Sequence, residues 1–303
     1  MGKNRNNIKE SSVHLAASKA RGAWPALHLA VLLFGVAGLF GKWLSLHPVY
    51  IVLGRVFFAT LALGIYLSIT KKWPPRVMRE QWLQIGGCGV LLAIHWFAFF
   101  QSIQVSSVAV GLLAFATAPV FAAMLEPFWF REAFSWRSLL AAVLSVLGIG
   151  LIVPQWTLGN TTVQGLLWGV GAGGSFALLS LLNRGLRKHH DSALLAFWQD
   201  AIAVVVLLPS FLWFPLQLTL PDIALLVLLG VFCTALAHAL FIHALFAIPA
   251  RSATLVSNLE PVYGILLAAA FLSEYPGWRT LTGGAIVLAT VGWFTINPRG
   301  RAV

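Results

Sequence analysis

Four polar side chains lie deep inside long apolar stretches of the chain. They are Arg55, Gln199, Asp200 and Glu260. Ionisable groups are costly in hydrocarbon and usually mark a pathway or a pairing. A small zwitterion needs a cation for its carboxylate and an acceptor for its ammonium group. Arg55 could serve the first need and Gln199, Asp200 or Glu260 the second, or Arg55 could pair with an acid and only hold helices together.

The two acids also suggest a second kind of chemistry. By helix rise, Asp200 and Glu260 lie roughly 13 Å inside the membrane from one edge, and Arg55 about 10 Å from the other. A carboxylate at that depth could take up a proton as a cavity changes its exposure. Asp200 and Glu260 are therefore candidates for proton coupling, although passive transport would use the same residues as polar lining.

Histidines and an asparagine extend the set of candidates. His95 and His238 lie inside apolar segments, and Phe99 follows His95 by four residues, which places both on one helical face. Asn258, two residues before Glu260, could add a polar lining group. The spacings do not match those of metal ligands, so we expect neither a metal nor a cofactor. Each histidine could instead be a hydrogen-bonded interior residue.

Tryptophans fall into two groups. Ten of the 13 lie near the ends of apolar segments, as interfacial aromatic belts do. Trp96, Trp168 and Trp198 lie deeper and could wall an apolar cavity by stacking. Lipid-facing or helix-packing roles are equally consistent with their positions. Trp168 and Trp198 join the candidate site.

Composition identifies the elements that must position these residues. Apolar residues make up 59% of the chain and charged residues only 10%. About 20 apolar residues form a helix that crosses a bilayer. Ten stretches of that order predict an all-α polytopic membrane protein: 24–44, 48–70, 82–102, 106–130, 136–153, 162–183, 192–214, 221–246, 252–273 and 278–296.

Basic residues predict the orientation. Of 20 lysines and arginines, 17 fall in the two termini and in the even-numbered connections. Basic residues are retained on the cytoplasmic side, so both termini are predicted to be cytoplasmic. The net charge of +11 is then a topology signal, together with an attraction to anionic lipid headgroups. No basic face on a folded domain suggests a nucleic-acid partner.

A motif is written twice, 142 positions apart. Pro119, Glu132 and Trp136 recur as Pro261, Glu274 and Trp278, with glutamate thirteen positions after proline and tryptophan four positions after glutamate in both copies. Five spans in each copy make the second copy enter the membrane from the opposite side. The fold is therefore predicted as two inverted five-helix repeats, an arrangement that recurs in secondary transporters.

The paired prolines have two interpretations. Each removes a backbone hydrogen bond within a membrane span, and the freed carbonyl needs a protein or water partner. Pro119 and Pro261 could be hinges beside a polar notch, or packed kinks. Their matched placement favours the hinge.

These features resemble the drug/metabolite transporter superfamily, in its bacterial form with two EamA domains. The resemblance runs from about Trp24 to Asn297, and the proline and glutamate pairs are its most specific part. Within the superfamily, the chain is most similar to the aromatic amino-acid exporters called YddG. Relatives export threonine and homoserine, cysteine derivatives or other small metabolites and drugs.

The resemblance implies an ATP-independent exporter of the bacterial inner membrane that works by alternating access. It implies a cavity lined by spans one to four and six to nine. We divide the chain into a disordered cytoplasmic tail (1–22), a first repeat (23–154), a second repeat (161–297) and a C-terminal tail (298–303). The expected partners are a small-molecule substrate and the lipid bilayer, and a homodimer is left open.

Other classes fit less well. The sequence has no nucleophile elbow, zinc-protease or phosphate-loop motif, so an enzyme is not expected. A channel would carry a recognisable filter segment or ring of charges. A receptor or scaffold would not require two inverted halves with matched prolines.

Overall fold

The protein is described by a computed structural model covering residues 2–73, 81–130, 136–153, 157, 159–186, 191–245 and 256–296. Every regular element in these ranges is helical. The helices are α1 (Gly2–Trp43), α2 (Pro48–Ile69), α3 (Trp82–Val105), α4 (Val108–Phe115), α5 (Ala118–Phe130), α6 (Trp136–Ile152), α7 (Thr161–Leu186), α8 (Ser192–Leu207), α9 (Leu220–Gly230), α10 (Ala237–Leu245), α11 (Glu260–Leu272) and α12 (Trp278–Ile296).

The prediction of an all-α polytopic membrane protein is confirmed. Seven helices within the described ranges are long and apolar enough to cross a membrane, and Leu139–Ile152 and Glu260–Leu272 are shorter apolar helices. Helix α1 continues back to Gly2, into the segment for which the sequence predicts a disordered tail. Alanines in that segment favour helix, and extending an existing helix needs no new nucleation.

Two predicted spans are interrupted near their prolines. Helices α4 and α5 belong to one span and are separated by a turn at Ala116 and Thr117, so Pro119 is the second residue of α5. Helix α11 follows a turn at Asn258, and Pro261 is again its second residue. The prolines therefore begin half-helices, where the missing N–H costs little, and do not kink continuous ones. Discontinuous helices of this kind are typical of transporter sites.

The helices pack with an approximate two-fold pattern. Helix α1 packs against α10 and α11, while α7 packs against α3 and against the α4–α5 span. Helix α2 packs against α8 and α9, and α3 against α8. Helix α6 lies against α12. Each contact has its counterpart when the two halves are exchanged, as repeated units require.

The α6–α12 crossing depends on two glycines and gives a stability prediction. A Cβ atom on Gly283 would meet the carbonyl oxygen of Gly148 and lie 2.6 Å from Cγ1 of Ile152. We expect Gly283→Val to lower the free energy of unfolding by ~1–3 kcal/mol, because backbone atoms cannot move aside as a side chain can. Thermal melting in detergent measures the change. Gly292→Val on the same helix is the control, since a Cβ there meets nothing within 4 Å. Equal melting temperatures of the two variants would contradict the close packing of α6 against α12 at Gly283.

His47 lies between α1 and α2, outside the spanning helices. Its ring stacks on Phe214 at 4.1 Å, and its Nδ1 accepts a hydrogen bond from the Val49 N–H at 3.4 Å. Burial lowers the pKa of His47 below its ordinary value, because the charged ring loses water.

This shift predicts a pH dependence. Because the folded pKa of His47 is lowered, its stabilising contribution is complete above the ordinary histidine pKa and is lost as the pH falls through the folded value. We expect His47→Asn, which keeps a capping oxygen but does not titrate, to lose less thermal stability than wild type between neutral and mildly acidic pH. Parallel melting curves for the two proteins would contradict this role.

Candidate functional site

Arg55 occupies the centre of the bundle. Its side chain is 0% exposed, and its Cζ lies 3.3 Å from the centre of the Trp96 ring. Its Nη2 donates to the carbonyl oxygen of Cys233 at 3.4 Å. Nε and Nη1 of Arg55 are buried and have no hydrogen-bond partner. A buried guanidinium with unused donors is costly unless an anion completes it.

Two acids lie within electrostatic range of Arg55 but do not pair with it. The charge of Arg55 interacts with the carboxyl groups of Asp200 and Glu260. Among the residues that the structure describes, the ion pairs are Lys42–Glu274 and Lys72–Asp191, and Arg55 forms none. The structure therefore shows no direct contact between Arg55 and an acidic side chain that would hold helices together. The centre holds a cation and two acids, neither of which lies within ion-pair distance of it.

Both candidate histidines belong to this centre. Nδ1 of His95 lies 3.0 Å from the carbonyl oxygen of Ala172, which leaves Nε2 buried and unpartnered. His238 interacts electrostatically with Arg55 and His95, and its ring lies 5.5 Å from that of Phe34. Nδ1 of His238 is also buried without a partner. Each ring can present a further donor or acceptor to a ligand.

Aromatic rings surround His95. Its ring lies 4.6 Å from Trp96, 5.2 Å from Phe115 and 5.0 Å from Phe176. Phe99 stands edge-on to Trp96 at 5.6 Å and lies 6.4 Å from His95. These side chains come from α3, α4 and α7, so residues of both repeats form one aromatic wall beside Arg55.

Three other predicted residues make contacts of their own. Trp168 is 41% exposed and stands edge-on to Phe97. Trp198 stands edge-on to Trp82, the first residue of α3, and its buried Nε1 has no hydrogen-bond partner. Gln199 exchanges hydrogen bonds with Asn183, at 2.6 and 3.4 Å. A cavity-lining role for these three side chains stays a prediction, and Gln199 directly precedes Asp200.

Asn258 lies in the turn that precedes α11, two residues from Glu260. Its Nδ2 is buried and has no partner. Within the described ranges, buried polar groups without a partner include those on Arg55, Trp96, His95, His238, Asn258 and Trp198. Most of these groups are hydrogen-bond donors. The arrangement favours a ligand rich in acceptors.

Several groups around Arg55 could not be identified as parts of a site from the sequence. Trp96 is one of three deep tryptophans, and only the fold shows that it stacks on Arg55. Phe115 and Phe176 are two of 21 phenylalanines. The Cys233 carbonyl becomes a hydrogen-bond acceptor where a short π-helix, Val231–Leu236, disturbs the regular backbone pattern. Such π-helical turns are frequent at functional sites.

The described residues do not form a metal site. Within them, no three side chains of histidine, cysteine, aspartate or glutamate are grouped so as to hold a metal ion. Glu132, from the first copy of the repeated motif, lies outside these ranges. Cys88 and Cys233 are buried free thiols.

Repeat-related helices around a buried polar centre define a polytopic membrane protein of the secondary-transporter type. The EamA-like transporter family matches the chain twice, over residues 24–153 and 163–296. The chain belongs to this family, and with it to the drug/metabolite transporter superfamily. Its members are transporters and not enzymes.

Curated relatives cover nearly the whole chain. The uncharacterised transporter YxxF of Bacillus subtilis is 26% identical over 90% of this chain and 89% of its own length. The threonine/homoserine exporter RhtA of Escherichia coli K12 is 26% identical over 88% of this chain and 90% of its own. A probable terminal-alkyne amino-acid exporter of Streptantibioticus cattleyicolor is 24% identical over 92% and 90%, respectively.

A solved crystal structure has a similar fold. It superposes with a TM-score of 0.61 at 17% identity, covering 89% of this chain and 96% of the other. At this identity the likeness concerns the fold alone.

Proposed function

We propose that the protein exports amino acids by alternating access, with the substrate bound at the Arg55 centre. The observation that carries this proposal is the buried guanidinium of Arg55, which has two unused nitrogen donors. A planar α-carboxylate can accept two parallel hydrogen bonds, one from the second N–H of Nη2 and one from Nε or Nη1. Two relatives are exporters, the threonine/homoserine exporter RhtA and the probable terminal-alkyne amino-acid exporter.

The second charge of an amino acid has candidate partners in the same centre. Asp200 and Glu260 are near enough to interact with Arg55 and are not paired with it. One of them would accept the substrate ammonium group while Arg55 holds the carboxylate. A zwitterion would then satisfy both signs of charge, which a metabolite with a single charge would not.

The aromatic wall favours one kind of substrate side chain. Rings of Trp96, Phe99, Phe115 and Phe176 meet around His95 and favour a flat apolar side chain by edge-on and offset contacts. This favours phenylalanine and tryptophan. The relation to RhtA favours threonine or homoserine as the second candidate.

We also propose a membrane location and an orientation for the protein. We place the protein in the bacterial inner membrane with both termini in the cytoplasm, since the basic residues are distributed that way. Two inverted repeats, 23–154 and 161–297, exchange roles as the pathway opens to either side. The turns before Pro119 and Pro261 act as the hinges.

Counterflow in proteoliposomes tests the proposed substrate class. Vesicles are loaded with one unlabelled amino acid, and uptake of labelled phenylalanine, tryptophan, threonine, homoserine and cysteine is followed with and without a pH gradient. Saturable uptake of any of them supports amino-acid transport, and the ranking chooses between the aromatic and hydroxylated candidates. A response to the pH gradient would assign proton coupling. Uptake of none, with folded protein, would overturn the amino-acid assignment.

A further inference from the structure

One end of the bundle is held together by charges that join the two repeats. Lys42, the second-last residue of α1, lies 3.8 Å from Glu274, which follows α11. The Lys42 Nζ also donates to the carbonyl oxygens of Gln104 and Ser106, at 3.4 and 2.9 Å. Lys42 therefore ties the ends of α1 and α3 to the residue that follows α11.

Glu274 completes the connection by capping a helix in the other repeat. The backbone N–H of Val108, the first residue of α4, donates to the Glu274 carboxylate at 3.0 Å. Free N–H groups and the helix dipole make this position favourable for an anion. Ser273 ends α11 in the left-handed region, with φ of 55°, and the chain reverses there so that Glu274 reaches α4. Glu274 thus caps α4 and pairs with Lys42 at the same time.

The packing just inside this end is tight. A Cβ atom on Gly41 would lie 2.8 Å from Cγ2 of Ile103, and one on Gly111 would lie 2.6 Å from Cγ1 of the same side chain. Gly38 faces Val108 and Leu112 across the gap between α1 and α4. The Lys42–Glu274 contact therefore covers a layer in which α1, α3 and α4 converge. For this end to open, these helices must separate.

We propose that Lys42 and Glu274 form a latch that holds this end of the transport pathway closed, and that the latch must break in each transport cycle. The glutamate of the repeated motif then has a mechanical role, as a cap that one repeat supplies to the other. The latch rests on alternating access but not on the identity of the substrate.

Thiol labelling tests the latch without any substrate. With Cys88 and Cys233 replaced by alanine, Gly38→Cys or Leu112→Cys reports access to the layer beneath Lys42. We expect Glu274→Gln and Lys42→Gln each to raise the labelling rate of both reporters in nanodiscs about tenfold, the population change that a lost cap and ion pair can produce.

The control is a matched ion pair elsewhere in the chain. Asp191 lies 3.7 Å from Lys72 and accepts from the Ala193 N–H at 2.9 Å, so it also pairs with a lysine and caps a helix. Its helix, however, is its own α8, and the pair lies at the opposite end of the bundle, so Asp191→Asn should not raise the labelling rates. An equal rise in Asp191→Asn, or unchanged rates in both latch variants with normal melting, would overturn the latch. Because no substrate is used, that result would leave the amino-acid proposal standing.

Discussion

Arg55→Met should abolish most transport without lowering the melting temperature of the protein. Methionine fills a similar volume, and it removes a buried cation whose Nε and Nη1 have no partner. Replacing a buried charge by an apolar side chain is often neutral or stabilising, so the fold should tolerate the change. Losing a buried charged contact to the substrate costs ~2–5 kcal/mol, which means at least about a 30-fold loss of flux.

Arg55→Lys provides the companion measurement. Lysine keeps the charge but cannot form two parallel hydrogen bonds or stack in the same way on Trp96. We expect its flux to lie between those of wild type and Arg55→Met. If Arg55→Met instead unfolded the protein, or kept wild-type flux, Arg55 would be a structural residue and the carboxylate assignment would be wrong.

Trp96→Leu should produce the second large loss of transport flux. The centre of the Trp96 ring lies 3.3 Å from Cζ of Arg55, in cation–π contact with the guanidinium. A desolvated cation–π contact is worth about 2 kcal/mol, so flux should fall roughly 30-fold. The substrate concentration that gives half-maximal flux should rise as well, because the guanidinium would no longer be preoriented.

Trp168→Leu is the control for this change. Trp168 is 41% exposed and contacts Phe97 at the outside of the bundle, so its flux should stay close to that of wild type. Proteoliposome counterflow measures both variants. A larger effect at Trp168 than at Trp96 would contradict the position that we assign to the substrate.

The fold was predictable because membrane-spanning helices can be recognised from their apolar composition. Apolar runs of about 20 residues locate the spans without any tertiary information. The repeated proline–glutamate motif predicts the duplication, and two matches to the same family bear it out. The breaks at Ala116 and Asn258 were harder to place, because proline marks the neighbourhood of an interruption but not which residue begins the next helix.

The centre was partly predictable for a related reason. A buried charge is so costly that Arg55, Asp200 and Glu260 stand out from the sequence alone, and the structure brings both acids within electrostatic range of Arg55. Aromatic residues carry no such signal. Trp96 and Trp168 look equivalent in the sequence, and only helix packing shows that the first stacks on Arg55 while the second lies at the surface.

The latch shows the limit of local patterns most clearly. Glu274 follows α11 in the sequence, where a solvated role is sufficient. Its partner, the N–H of Val108, is 166 residues away in the other repeat. A capping contact at that separation exists only once the two halves have packed together.

Competition in the counterflow assay tests the central claim most directly. Uptake of the best labelled amino acid would be measured with the unlabelled amino acid or its carboxylate-free amine analogue as competitor, in wild type and in Arg55→Lys, which should keep measurable flux. We predict that the unlabelled amino acid competes with wild-type uptake and the amine does not, and that Arg55→Lys narrows this difference. Equal competition by the amine in wild type would contradict a carboxylate held by Arg55.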